Sequence, residues 1–214
     1  MNYRRFPSGP LQTNTYLVWG SSGEGFIVDP AGGADAILSF AAERGVAVRA
    51  VLLTHGHPDH VGGLPELLER VEAGVSIGAG DAGMLRSPDQ ETTRWLGFDF
   101  RGISSFTELA DGDTIEIGGA EVAVIGTPGH TPGGVCYLVS KEEGEPGLLL
   151  SGDTLFAGSV GRTDLPGGDV EELARSLERL ATLPDSLPVL PGHGPETTIG
   201  AERARNPFWP GRRA

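Results

Sequence analysis

Val51-Leu52-Leu53-Thr54-His55-Gly56-His57-Pro58-Asp59-His60 joins a short apolar run to three imidazoles and a carboxylate. The run reads as a buried strand. The residues after it form a ready set of metal donors, because neutral imidazole is the commonest ligand for zinc and related transition metals. The 214-residue chain has five histidines, and the other two, His130 and His193, also stand past apolar runs. His130 follows Val122 to Ile125 and Gly126-Thr127-Pro128-Gly129, and His193 follows Val189-Leu190-Pro191-Gly192. Asp153 follows Leu148-Leu149-Leu150-Ser151-Gly152 in the same way. Donors just past the ends of separate strands converge only if those strands share an edge, where loops shape a pocket over a rigid scaffold. No histidine is left over for a purely structural role.

Working outward, Thr15 to Trp19 and Phe26 to Asp29 read as strands, and Ala34 to Arg44 as a helix leading into the strand Ala50 to Thr54. Val61 to Glu72 carries Leu64, Leu67, Leu68 and Val71 at helical spacing, with Pro65 near its start where a missing N–H is tolerated. The metal donors are therefore expected in a strand-to-helix loop. Val75 to Ala79 reads as a strand, Asp81 to Leu85 as a short helix, and Ser87 to Ser105 as a polar excursion beside the site, with Trp95, Phe98 and Phe100 embedded. The second half repeats the logic: strands at Thr114 to Ile117, Glu121 to Ile125, Val135 to Ser140, Leu148 to Ser151 and Pro188 to Leu190, with a helix from Asp169 to Ala181. Lys141 to Gly147 reads as a charged hairpin turn. Strand runs flanked by helices in both halves predict two sheets face to face with helices outside, an α/β four-layer αββα sandwich. No composition break interrupts residues 1–214, so a single domain is expected.

A hydrophobic fraction of 38% fills one core in a chain of this length. The formal charge of -13 opposes an extended phosphate-binding face, so neither nucleic acid nor an anionic membrane is an expected partner. The opening Met1 to Pro10 has no apolar run of signal-peptide length after it, and no stretch of about 18 apolar residues follows, so a soluble cytoplasmic protein is expected. The single Cys136 forms no internal disulfide and, within Gly133 to Val139, reads as a packing residue of a strand.

Four stretches carry a family resemblance: Thr-His-Gly-His-Pro-Asp-His (54–60), Gly-Thr-Pro-Gly-His-Thr-Pro-Gly (126–133), Ser-Gly-Asp-Thr-Leu-Phe-Ala-Gly-Ser-Val-Gly-Arg-Thr-Asp (151–164) and Leu-Pro-Gly-His-Gly-Pro (190–195). They resemble the ordered motifs of the metallo-β-lactamase superfamily, and within it the short, single-domain bacterial glyoxalase II (hydroxyacylglutathione hydrolase)-like proteins. The resemblance runs from Thr15 to Phe208. It implies the metallo-β-lactamase fold and two divalent metal ions: His55, His57 and His130 on one, Asp59, His60 and His193 on the other, and Asp153 bridging both. Zinc comes first, with iron or manganese suiting the same donors. Two such ions activate a shared water for attack on a carbonyl carbon and steady the resulting negative oxygen. Asp59 and Asp153 are then the catalytic carboxylates, Asp59 serving as a plain ligand or also handling a proton. Asp29 corresponds to a supporting acid that orients an imidazole, with turn formation before Pro30 as its alternative. Thr54 and Thr154 bond to ligands or satisfy loop backbone. Phe156 and Arg162 are candidate substrate contacts.

Full-length glyoxalase II enzymes carry a helical C-terminal extension whose basic residues bind glutathione. Beyond His193 this sequence offers a closing helix over Ile199 to Asn206, then Phe208, Trp209 and a basic tail, so no separate glutathione-binding domain is expected. Arg162-Thr163-Asp164 keeps the positive charge of the glutathione-binding loop and lacks its aromatic partners. The expected activity is metal-dependent hydrolysis of a small thioester of the S-lactoylglutathione type, the thiol being left open. The alternative is a mononuclear iron enzyme similar to persulfide dioxygenases, using His55, His130 and Asp153 as a two-His-one-carboxylate triad. The Pro-Gly-His-Gly-Pro setting of His193 stands closer to the hydrolase pattern. Seven donors for two ions leave coordination positions open, which points to catalysis and not to a structural staple.

Overall fold

Side-chain alternation along the strands builds two cores from each sheet. In the computed structural model, which describes residues 1–140 and 146–211, β1 (Asn2–Ser8), β2 (Thr13–Trp19), β3 (Glu24–Val28), β4 (Ala47–Leu53), β5 (Gly74–Gly78) and β6 (Thr107–Leu109) form one sheet in sequence order. Its first three strands are antiparallel, and β3 to β6 run parallel. β7 (Thr114–Ile117), β8 (Ala120–Gly126), β9 (Val135–Ser140), β10 (Pro146–Gly152), β13 (Pro188–Pro191) and β14 (Thr197–Thr198) form the second, in the order β14-β13-β10-β9-β8-β7. Between its last members, β11 (Leu155–Phe156) and β12 (Ser159–Val160) make a small ribbon. The helices are α1 (Ala34–Glu43), α2 (Pro58–Val61), α3 (Leu64–Leu68), α4 (Ala82–Arg86), α5 (Gln90–Trp95), α6 (Val170–Leu180) and α7 (Ile199–Arg205).

Tyr16, Val18, Phe26, Val28 and Leu52 face the second sheet and meet Val122, Val124, Tyr137, Val139, Leu150 and Leu190. Their neighbours Leu17, Ile27, Val51 and Leu53 point the other way, against Ile37 and Ala41 of α1 and Leu64 and Leu67 of α3. On the far face of the second sheet, Cys136, Leu149 and Val189 meet Leu173, Leu177 and Leu180 of α6 and Ile199 of α7. The period of two in a strand produces this division, and each fully buried large aliphatic side chain is worth roughly 1.5–3 kcal/mol. Three cores between four layers give the expected αββα sandwich.

The structure departs from the sequence reading in several places, the short strands β6, β11, β12 and β14 among them. The helix expected over Val61 to Glu72 is two short ones, and α2 begins at Pro58, so Asp59 and His60 lie in a helical turn and not in a loop. Gly62 and Gly63 break it. A Cβ on Gly63 would stand 2.4 Å from the Gly32 nitrogen, and one on Gly62 2.4 Å from the Phe98 ring. The Gly63 N–H also donates to the Pro30 carbonyl at 2.9 Å, so tertiary contact overrides helical periodicity. The polar excursion holds α5, capped by the Asp89 carboxylate, which packs against α2. The edge strand β1 was not expected from sequence. It is mostly exposed and contains Pro7, so it gives little period-two signal. The expected hairpin turn at Lys141 to Gly147 falls largely on residues outside the described ones, as does the basic tail at Arg212 and Arg213. Among the described residues, no helix is long and apolar enough to cross a membrane.

Candidate metal centre

Strand ends from both sheets deliver the donors to one rim. β4 ends just before Thr54 and leads through His55 and His57 into α2, which carries Asp59 and His60. β8, β10 and β13 end shortly before His130, Asp153 and His193. The donor atoms of His55, His57 and His130 lie within 4.8 Å of one another, and so do those of Asp59, His60 and His193. His57 Nδ1 and His130 Nε2 are 2.9 Å apart. Asp153 faces both groups: Oδ1 is 3.3 Å from His60 Nε2, and Oδ2 is 3.6 Å from both His130 Nε2 and His193 Nε2. Asp59 Oδ2 stands 3.2 Å from His193 Nε2.

Behind this rim, hydrogen bonds fix which nitrogen of each ring faces the site. The Asp29 carboxylate accepts from the Thr54 N–H at 2.8 Å, the Thr54 hydroxyl at 2.6 Å and His60 Nδ1 at 2.9 Å. Having donated its one proton, the Thr54 hydroxyl accepts from His55 Nδ1 at 3.1 Å. His130 Nδ1 donates to the Arg162 carbonyl at 2.7 Å. All three rings thereby turn Nε2 forward, the nitrogen a metal ligand presents once it carries no proton. Asp29 also has a φ of 50°, a left-handed conformation that Asp tolerates better than most residues. Its carboxylate, though close to His55 and His60, is occupied as their support.

His55 Nε2, His60 Nε2 and Asp153 Oδ1 are buried with no hydrogen-bond partner. An unsatisfied buried polar atom costs about 1–3 kcal/mol, so several converging acceptors fit cations of the kind that imidazole and carboxylate prefer. The electrostatics agree. Burial, reinforced by neighbouring imidazoles, lowers His55 well below its ordinary value and His57 to about 4, so both are neutral near pH 7. At His60 burial is outweighed by Asp153, Asp59 and Asp29, which hold it well above the ordinary value; at His193 it is outweighed chiefly by the bond to Asp59. Burial also opposes ionisation of Asp59 and Asp153, but His60 and His193 hold both carboxyls below the usual range, with help from Thr13 at Asp59 and His130 at Asp153. The cluster draws positive charge to the side where the carboxylates stand.

Two supports escaped the sequence reading. Thr13 Oγ1 donates to Asp59 Oδ2 at 3.0 Å. Fully buried Asp81 accepts from the Gly56 N–H at 3.0 Å and the Gly133 N–H at 2.7 Å, and burial raises its carboxyl above the ordinary value. The available signal for Asp81 was an acid at a strand end beside glycines, which reads equally well as a helix start. The His193 loop is held by β2: Asn14 donates its N–H to Gly192 and its amide to Pro191 and Gly194, while the Tyr16 hydroxyl donates to Pro191.

The remaining candidates lie at the periphery. The Phe156 ring packs 6.1 Å from the His193 ring, on a ribbon anchored by Asn206 to the Ser159 carbonyl and by Glu202 to the Gly158 N–H. The Arg162 guanidinium is exposed and makes two bonds to Asp164, at 2.6 and 2.7 Å. Thr154 pairs its hydroxyl with Thr127 at 2.9 Å and not with a candidate ligand.

Known proteins resemble this chain over most of its length. A model of the metallo-beta-lactamase superfamily matches residues 8–193. A probable metallo-hydrolase of Bacillus subtilis, YqgX, is 39% identical over 97% of both chains. The hydroxyacylglutathione hydrolase GloC of Haemophilus influenzae is 33% identical over 97% of this chain and 98% of its own. The crystal structure of TTHA1623 in a di-iron-bound form superposes with a TM-score of 0.83 at 37% identity, covering 96% of this chain and 99% of that one. With a family match across most of its length and full-length relatives well above 30% identity, this chain belongs to the metallo-β-lactamase superfamily of metal-dependent hydrolases.

Proposed function

We propose that the protein is a dinuclear, metal-dependent hydrolase of a small thioester of the S-lactoylglutathione type, acting as a single catalytic domain in the cytoplasm. The observation that carries this reading is the position of Asp153, whose two oxygens face the two donor groups. GloC, named for hydroxyacylglutathione hydrolysis, and the di-iron form of TTHA1623 support the substrate class and the metal count respectively. His55, His57 and His130 would hold one ion, Asp59, His60 and His193 the other, and Asp153 both. Such ions, zinc or iron among them, lower the pKa of water and stabilise negative charge on a carbonyl oxygen.

The chain's own residues supply the rest. Asp29, Thr54 and the Arg162 carbonyl keep three imidazoles in the ligand tautomer. Asp59, held ionised by His60 and His193 and bonded by Thr13, is better suited to a ligand than to a base at neutral pH. Phe156 offers an apolar wall beside His193 for the acyl or thiol stem. Arg162 reaches an anionic thiol only by exchanging Asp164 for it. Metal analysis combined with turnover tests the proposal: two ions per chain and faster hydrolysis of S-lactoylglutathione than of a simple lactone or a β-lactam are expected. One iron per chain, with oxygen uptake on a persulfide, would overturn it.

A further inference from the structure

Asp81 stands between two loops and belongs to neither. It precedes α4, where an Asp ordinarily caps the helix, but its carboxylate makes no bond to the N–H groups of that helix. Both oxygens are used elsewhere, on Gly56, between His55 and His57, and on Gly133, three residues beyond His130. The crossing is tight. A Cβ on Gly80 would meet the Gly133 Cα at 2.7 Å, and one on Gly78 would meet the Gly133 carbonyl oxygen at 2.1 Å. Neither loop can shift on its own without opening this contact.

We propose that Asp81 is a positioning residue that sets the separation of His55 and His57 from His130, and so governs affinity at that metal position selectively. The other position has separate supports: Asp29 holds His60, Thr13 holds Asp59, and Asn14 and Tyr16 hold the His193 loop. Apart from Asp29, which also reaches His55 through Thr54, the two positions draw on different supports. An amide cannot replace the Asp81 carboxylate, because accepting both N–H groups takes two acceptor oxygens and Asn turns an NH₂ towards one of them.

The inference rests on the two-ion reading, and titration of Asp81→Asn with Zn²⁺ against a chromophoric chelator separates the two. The expected result is a loss of about 10–100-fold in affinity for one ion, the size typical of a broken support behind a metal ligand, with the other ion unchanged. Equal weakening of both ions, or none, in a folded variant overturns the role of Asp81. A wild-type chain that binds fewer than two ions sinks the two-ion reading and the selectivity with it. Amide hydrogen exchange on the metal-free wild-type chain gives a check that needs no variant. Gly56 and Gly133 N–H groups held by Asp81 exchange slowly before any metal is added, and rapid exchange at both overturns the strut.

Discussion

The two donor groups at the rim differ in composition and in charge. His55, His57 and His130 are three imidazoles, and two of them are driven to the neutral form by burial. Asp59, His60 and His193 include a carboxylate and two histidines that neighbouring carboxylates push towards protonation, and His193 retains 28% side-chain exposure. His55 and His57 are ready to take a cation near pH 7 without losing protons, whereas His60 and His193 must release them. Each group has one half-buried member, His57 in the first and His193 in the second, the latter beside Phe156. Three neutral ligands would leave an ion's charge undiminished except by Asp153, which would favour polarising a carbonyl; the mixed group would compensate more charge.

Removing the shared member should have the largest effect. Asp153→Ala is expected to lower thioester turnover by at least about 10³-fold, ~4 kcal/mol at 1.36 kcal/mol per decade, while circular dichroism shows the fold intact. Retained activity would refute a role for Asp153 at both positions. Next comes a substitution confined to one group. His193→Ala should reduce bound metal from two ions to one, measured by elemental analysis, leaving the three-imidazole position filled; loss of both ions would show that the groups are not separable. Asp29→Asn cuts across the comparison, since Asp29 supports His60 directly and His55 through Thr54. It should weaken both ions by about 10–100-fold, in contrast to Asp81→Asn.

The smallest effect is a difference in pH dependence. An imidazolium must lose its proton before Nε2 can coordinate, so a histidine with a raised pKa binds metal more tightly as pH increases. For His60 and His193 this rise continues above 6.5, with up to about tenfold in affinity per pH unit for each proton released. For His57 the rise ends near 4, so it is over well before neutral pH. Calorimetric titration at pH 7 in buffers of different ionisation enthalpy should show more proton release for one ion than for the other. Identical release would erase the distinction.

The donors themselves were legible in the sequence because four sit within six residues and the other three follow strand-like runs that fix where they emerge. The strand alternation that separates the cores was legible for the same local reason. Asp81 and Thr13 were not, since their partners lie 25 to 52 residues away and nothing near either residue marks it as support. The break at Gly62 and Gly63 was hidden similarly: periodicity through Leu64, Leu67 and Leu68 continues across it, and the reason to stop is the backbone of Pro30 to Gly32. Arg162 was marked for its guanidinium, yet its carbonyl is the atom that reaches a histidine.

The rim draws donors from both halves of the sandwich, with His55, His57, Asp59 and His60 following β4 and His130, Asp153 and His193 following strands of the other sheet. Ions held across that seam would act as rivets. Sliding one sheet over the other would pull a ligand from each ion, so the mechanical stiffness of the interface and the geometry of the chemistry would become one property. At a free metal concentration a hundredfold above its dissociation constant, each ion would add about 2.7 kcal/mol against unfolding. Chelation would then loosen the seam between the sheets first, while the outer helical layers keep their own apolar contacts.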